Sequence, residues 1–75
     1  MIVTYVIYSQ NYGFRYVGIT KNLKKRIRAH NKGKVVSTAS YQPLELIYTE
    51  EFKNYAEARE REIFLKSGKG RAFLD

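Results

Sequence analysis

Four side chains in this sequence are of the types that hydrolyse a phosphate ester. Arg26 and His30 stand four positions apart, so a helix carrying both presents them on one face. The planar fork of Arg26 can hold two phosphate oxygens at once, a geometry that lysine lacks. Tyr16 heads the stretch Tyr16-Val17-Gly18 and offers a phenol; Glu62, far downstream, offers a carboxylate. A lone carboxylate is a hard oxygen ligand for one Mg²⁺ or Mn²⁺, with water and a substrate phosphate completing the shell. Phosphodiester hydrolysis has three requirements: water must be activated, the transition state neutralised and the leaving oxygen stabilised. An ordinary imidazole titrates near about pH 6.5 and a free phenol near about pH 10, so His30 is the chemically easier proton acceptor. Taken singly, each residue has a plainer reading. Tyr16 is a core aromatic, Arg26 a surface cation, His30 a helix-end residue and Glu62 half of a pair with Lys66.

Other chemistries are excluded by composition. Without cysteine there is no thiolate metal site and no cysteine nucleophile, and one histidine cannot build a multi-histidine centre. Ser67-Gly68-Lys69-Gly70 is too short for a phosphate-cradling loop and reads as a helix stop followed by a turn. The chain has 75 residues, a net charge of +7 and 44% apolar residues, which predicts one small folded domain over residues 1–75. The charge is segregated. Lys21, Lys24, Lys25, Arg26, Arg28, Lys32 and Lys34 occur with no acid among them, whereas six of the seven acids fall between Glu45 and Glu62. Such a basic block points to nucleic acid, because each phosphate neutralised releases counterions. No apolar run approaches the length of a membrane span and the first residues carry no basic leader, so a soluble cytoplasmic protein without membrane contact is expected.

Positioning these groups requires a scaffold. Residues 2–9 are β-branched and aromatic with apolar side chains on both parities, which predicts a central strand covered on both faces. A turn through Gly13 returns the chain as a second strand over Phe14–Gly18. Thr20 or Asn22 caps a helix that runs to about Asn31 and stops at Gly33, with Leu23 and Ile27 on its buried stripe. Residues 35–43 read as a loop in which Tyr41 packs on Pro43, and Leu44–Thr49 as a third strand. Asn54 with Glu57 marks the start of a helix from Tyr55 to about Lys66 that ends at Gly68; Tyr55 or Ala56 joins Ala58, Phe64 and Leu65 on its apolar face. Phe73 and Leu74 fold back on the core as a short final turn or helix. The fold class is α/β: a central, mainly antiparallel three-stranded sheet flanked by helices, in the order β-β-α-β-α.

With these elements in place the chain resembles the GIY-YIG nuclease family. Its known members include the nuclease half of a bacterial excinuclease, some homing endonucleases and small stand-alone bacterial domains. The second family motif matches Tyr16, Val17 and Gly18, and the pattern that follows it is met by Gly18, Thr20, Leu23, Arg26 and His30. The first family tyrosine lies about eleven positions earlier, at Tyr5; Tyr8 is its rival, only eight before Tyr16. Downstream, Ala58, Glu62 and Lys66 match at family spacing, and Leu65–Arg71 resembles the continuation of the stand-alone group. Val3-Thr4-Tyr5 stands where the family has Gly-Ile-Tyr. The resemblance implies a metal-dependent DNA endonuclease of low sequence specificity or directed by DNA structure. It makes Tyr16 the favoured base for water and Tyr5 its hydrogen-bonding assistant.

Arg26, His30 and Glu62 complete the expected catalytic set, with Glu62 holding one Mg²⁺ or Mn²⁺ per site. Gly18, Thr20, Lys24, Arg26, Lys32 and Lys34 are the expected DNA contacts, with Ser37 and Thr38 in a loop within reach of backbone phosphates. One site per chain nicks one strand, and double-strand cleavage needs a homodimer or two encounters. The rival readings are a non-catalytic nucleic-acid-binding module of the same fold, and an interaction protein whose basic face docks on an acidic partner or an anionic membrane.

Overall fold

Asn22 and Asn54 each close a helix start with their own side chains, accepting from the backbone N–H of Lys25 at 3.2 Å and of Glu57 at 2.9 Å. The computed structural model describes residues Met1–Asp75. Its elements are β1 (Ile2–Ser9), β2 (Phe14–Thr20), α1 (Leu23–Asn31), a 3₁₀ turn (Ala39–Tyr41), β3 (Glu45–Phe52), α2 (Tyr55–Lys66) and α3 (Gly68–Leu74). The strands form one antiparallel sheet in the order β2-β1-β3, so the most apolar strand is central, as its two-sided pattern requires. No helix is long and apolar enough to cross a membrane.

The two faces of β1 are buried by different helices. Val3, Tyr5 and Ile7 pack with Leu44, and against Tyr16, Leu23 and Ile27 on the α1 side. Val6 packs with Val17 and Leu65, and Phe64 and Leu74 close the α2–α3 side. Thr4, on that second face, donates from Oγ1 to the Ala58 carbonyl of α2 at 2.9 Å in a buried contact. Replacing Thr4 by valine keeps the shape and removes this bond, leaving the Ala58 carbonyl its helical partner alone. We expect a loss of about 1 kcal/mol in urea unfolding. A loss under about 0.5 kcal/mol would mean that apolar packing alone holds α2 to the sheet.

The helix α1 and the turn at Gly13, where φ is +59°, agree with the sequence reading. Four expectations are corrected. The third strand runs on through Glu50 and Glu51 to Phe52, because a solvent-facing edge strand tolerates acids on its ladder. Gly68 does not stop α2. Ser67 ends it and opens α3, donating from Oγ to the Phe64 carbonyl at 2.5 Å and accepting from the Gly70 N–H at 3.2 Å. Tyr55 and Ala56 are exposed, and the buried positions of α2 are Ala58, Glu62 and Leu65. Tyr41 stacks on Phe14, with ring centroids 3.9 Å apart, rather than packing on Pro43.

Candidate active site

Gly18 makes the site possible. It lies opposite Tyr5 in the β1–β2 ladder, and in an antiparallel pair opposed residues face the same side of the sheet. A Cβ on Gly18 would stand 2.5 Å from the Tyr5 hydroxyl and 3.0 Å from a Tyr16 ring carbon. The missing side chain therefore lets the Tyr5 ring lie across β2 beside Tyr16, with the two ring centroids 6.4 Å apart.

On that face α1 brings up His30 and Arg26. The Tyr5 hydroxyl lies 2.7 Å from His30 Nε2, and His30 Nδ1 lies 2.7 Å from Thr38 Oγ1. Thr38 donates onward to the Val35 carbonyl at 3.4 Å. With the Thr38 proton directed at Val35, its oxygen accepts from His30 Nδ1–H. His30 Nε2 then accepts from the Tyr5 hydroxyl, which fixes one tautomer and one direction along the chain of bonds. Tyr5, His30 and Thr38 are all fully buried. Asn31 ties down the segment that carries Thr38, bonding both the N–H of Leu44 at 2.8 Å and its carbonyl at 3.0 Å.

Arg26 sits within reach of both phenols. The Tyr5 phenol strengthens its cation, burial opposes this, and Tyr16 adds to it. Its Nε is buried and makes no hydrogen bond within the protein, while the residue as a whole is only partly buried. Burial raises the Tyr5 pKa above the ordinary phenol value; Arg26 pulls it down, while Tyr16 and the Glu62 carboxylate add to the rise. The Tyr5 hydroxyl thus feels a cation from α1 and a carboxylate from α2, helices that cover opposite faces of the sheet.

Glu62 is 9% exposed. Its Oε1 accepts from Arg59 at 2.6 Å and its Oε2 from Lys66 at 3.1 Å. Burial alone would raise its pKa, but the two cations outweigh it and hold the carboxyl below the usual carboxylate range. The side chains of Arg59 and Lys66 are 51% and 53% exposed, so both arms can swing away. An ionised hard-oxygen donor with movable counter-charges fits Mg²⁺ or Mn²⁺. No group of three or more His, Asp or Glu converges here, so the one carboxylate would share the ion with water and substrate.

His30 titrates in a way that can be checked. Burial lowers its pKa, and the Arg26 charge lowers it further. A base whose folded pKa is depressed contributes stability above its unfolded pKa, and that contribution is lost as pH falls through and below that value. His30 is the only histidine. We therefore expect the melting temperature to fall as pH drops from about 7 to 5, and the dependence to flatten in His30→Gln. An equal slope in both proteins would contradict a buried neutral imidazole.

Residues 1–73 match the GIY-YIG catalytic domain family. The chain belongs to the GIY-YIG family. It is similar to the UPF0213 protein CPE1444 of Clostridium perfringens, at 46% identity over 52 residues covering 68% of this chain and 56% of that protein. It is also 40% identical over 52 residues to the UPF0213 protein YazA of Bacillus subtilis, covering 68% of this chain and 52% of YazA. The solution structure of the UPF0213 protein BH0048 from Bacillus halodurans matches 99% of this chain and 82% of its own, at 28% identity and a TM-score of 0.57. The chain spans a little over half the length of the first two relatives in the matched regions.

Within this GIY-YIG domain the departure at Val3-Thr4 falls on buried scaffold positions, one in the core cluster and one bonded to α2. It leaves the phenol at position 5 unaltered. Tyr8, three positions along β1 and so on the opposite face, stands apart from the Tyr5–His30 cluster. Thr38 is no phosphate contact, since it is buried against His30; no local pattern marks a partner eight residues away across an irregular segment. His30 is enclosed, with both ring nitrogens occupied, so it positions Tyr5 rather than meeting water. Thr20 bonds the N–H of Asn22 at 3.1 Å and its carbonyl at 3.3 Å, setting the start of α1. Lys24 is exposed on α1, while Lys32 and Lys34 line a shallow groove with Lys25 and Arg28.

Proposed function

We propose that this domain is a metal-dependent endonuclease that hydrolyses a phosphodiester of DNA, nicking with low sequence preference or guided by DNA structure. The observation that carries this reading is two phenols on one face of the sheet, with Tyr5 held at 2.7 Å by His30 and its ring 6.4 Å from that of Tyr16, beside the helix that carries Arg26. Arg26 holds the scissile phosphate through the terminal nitrogens of its fork, stabilising charge that grows on the equatorial oxygens. Tyr16, half-buried and outside the hydrogen-bond chain, acts as its phenolate, its own proton having passed to solvent, and takes the proton of the attacking water to return to the neutral phenol. Tyr5 stays a neutral phenol, because burial raises its pKa and His30 accepts its proton in a hydrogen bond. It orients Tyr16 and the phosphate. Glu62 would hold Mg²⁺ or Mn²⁺, which supplies charge neutralisation at the phosphate. The basic face of α1 steers DNA to the site, so binding weakens steeply with salt. This reading places the protein in the cytoplasm with its DNA.

The test is nicking of supercoiled plasmid in Mg²⁺ or Mn²⁺, beside Glu62→Gln and Arg26→Ala. Metal-dependent nicking that falls by at least about 10²-fold in both variants is the expected result. One observation favours a second reading. Both Glu62 oxygens are already paired, as in a purely structural ion network. DNA that is bound but left uncut, with binding indifferent to Glu62→Gln, would make the domain a non-catalytic binding module.

A further inference from the structure

A groove of about 660 Å³ shares Tyr16 with the candidate site and otherwise lies toward the α2–α3 side of the sheet. The consecutive residues from Gly13 to Val17 all line it, and side chains alternate along a strand, so it follows the open outer edge of β2. Its charged residues are Arg15, Lys66 and Arg71, with no acid in the lining. Tyr16 belongs to both the groove and the candidate site, and Lys66 joins them by bonding Glu62.

Arg15 repeats a feature of Arg26: its Nε is buried without a hydrogen-bond partner. Its Nη2 donates to Asp75 Oδ1 at 2.7 Å, so a carboxylate oxygen already sits where an anionic oxygen would bind. Asp75 is mostly exposed in this pair and can yield to a competing anion. An exposed pair of this kind contributes little stability, so displacing it is easy.

We propose that this groove is a second phosphate-binding subsite, taking a backbone phosphate of the DNA strand next to the one at Arg26, and that Asp75 holds Arg15 from outside the groove until DNA displaces it. Its position next to the scissile phosphate rests on the nuclease reading. The subsite gives the strand a direction: from Arg26, past Tyr16, to Arg15 and Arg71. It supplies hold on the backbone without reading bases.

The test is the binding of a short labelled DNA duplex in EDTA, where no metal-dependent cleavage occurs. Arg15→Gln and Arg71→Gln are each expected to weaken binding about tenfold and to lower the salt slope by about one. Asp75→Asn is expected to tighten binding about threefold, whereas Glu60→Gln, the same charge change on an exposed position outside the groove, has little effect. The proposal is overturned if Asp75→Asn matches Glu60→Gln, or if Arg15→Gln loses no more than Lys53→Gln, an exposed cation outside the groove. Plasmid nicking by the unaltered protein reports on the nuclease reading separately. Nicking without these binding differences removes the subsite alone; these differences without nicking remove the enzyme alone.

Discussion

Arg26→Lys is expected to nick supercoiled plasmid about a hundred times more slowly than the unaltered protein, although the charge is kept. The reason is geometric. The Arg26 guanidinium stands within reach of two phenols, and the residue is only partly buried. A planar fork can serve the tyrosines with one side and two phosphate oxygens with the other. A lysine ammonium is a compact, strongly hydrated point charge and cannot do both. Because the charge remains, DNA binding in EDTA is expected to change by less than about threefold, so the loss falls on turnover. If Arg26→Lys nicks within about threefold of the unaltered rate, Arg26 acts only as a cation, and fork recognition of the scissile phosphate is wrong.

The parts of this molecule that were legible in the sequence are those fixed by local chemistry. Two-sided apolar patterning made β1 central, the Asn54 cap placed the start of α2, and of the two caps open for α1, Thr20 and Asn22, the structure uses Asn22. Where long-range packing decides, local signals misled. Gly68 looks like a stop, yet Ser67 caps the helix that begins there. The same α2–α3 turn needs a glycine at position 70, whose Cβ would run into the backbone of Phe64 and Leu65. Glu50 and Glu51 look like the end of a strand, but an edge ladder needs only their backbones. The same division runs through the site. Spacing named Arg26 and His30 as neighbours on one helix face. Burial, a property of the whole fold, turns His30 from an accessible base into the acceptor that orients Tyr5, and it brings in Thr38 from a segment with no pattern of its own. Arg15 and Arg71 were illegible for a further reason: they lie far apart in sequence and meet only along the β2 edge.

Gly18→Ala combines both kinds of loss and is expected to have the largest effect of any single substitution at the site. The new methyl would meet the Tyr5 hydroxyl at 2.5 Å and its Cζ at 2.6 Å. That ring cannot swing aside as an exposed side chain would: it is fully buried, and its hydroxyl is held by His30 at 2.7 Å. Overpacking of this sort costs about 1–3 kcal/mol, and here relief requires breaking the bond from Tyr5 to His30, so we expect a loss near about 3 kcal/mol in urea unfolding. Nicking is expected to fall by at least about 10²-fold at temperatures where the variant is still folded, because the displaced phenol no longer lies beside Arg26 and Tyr16. Gly13→Ala separates strain from site geometry. A Cβ there meets nothing within 4 Å, but the +59° φ disfavours alanine, so it should lose about 1 kcal/mol, the cost of backbone strain alone. A folded Gly18→Ala protein that nicks at the unaltered rate would show that catalysis does not depend on the Tyr5 ring crossing β2 at this point.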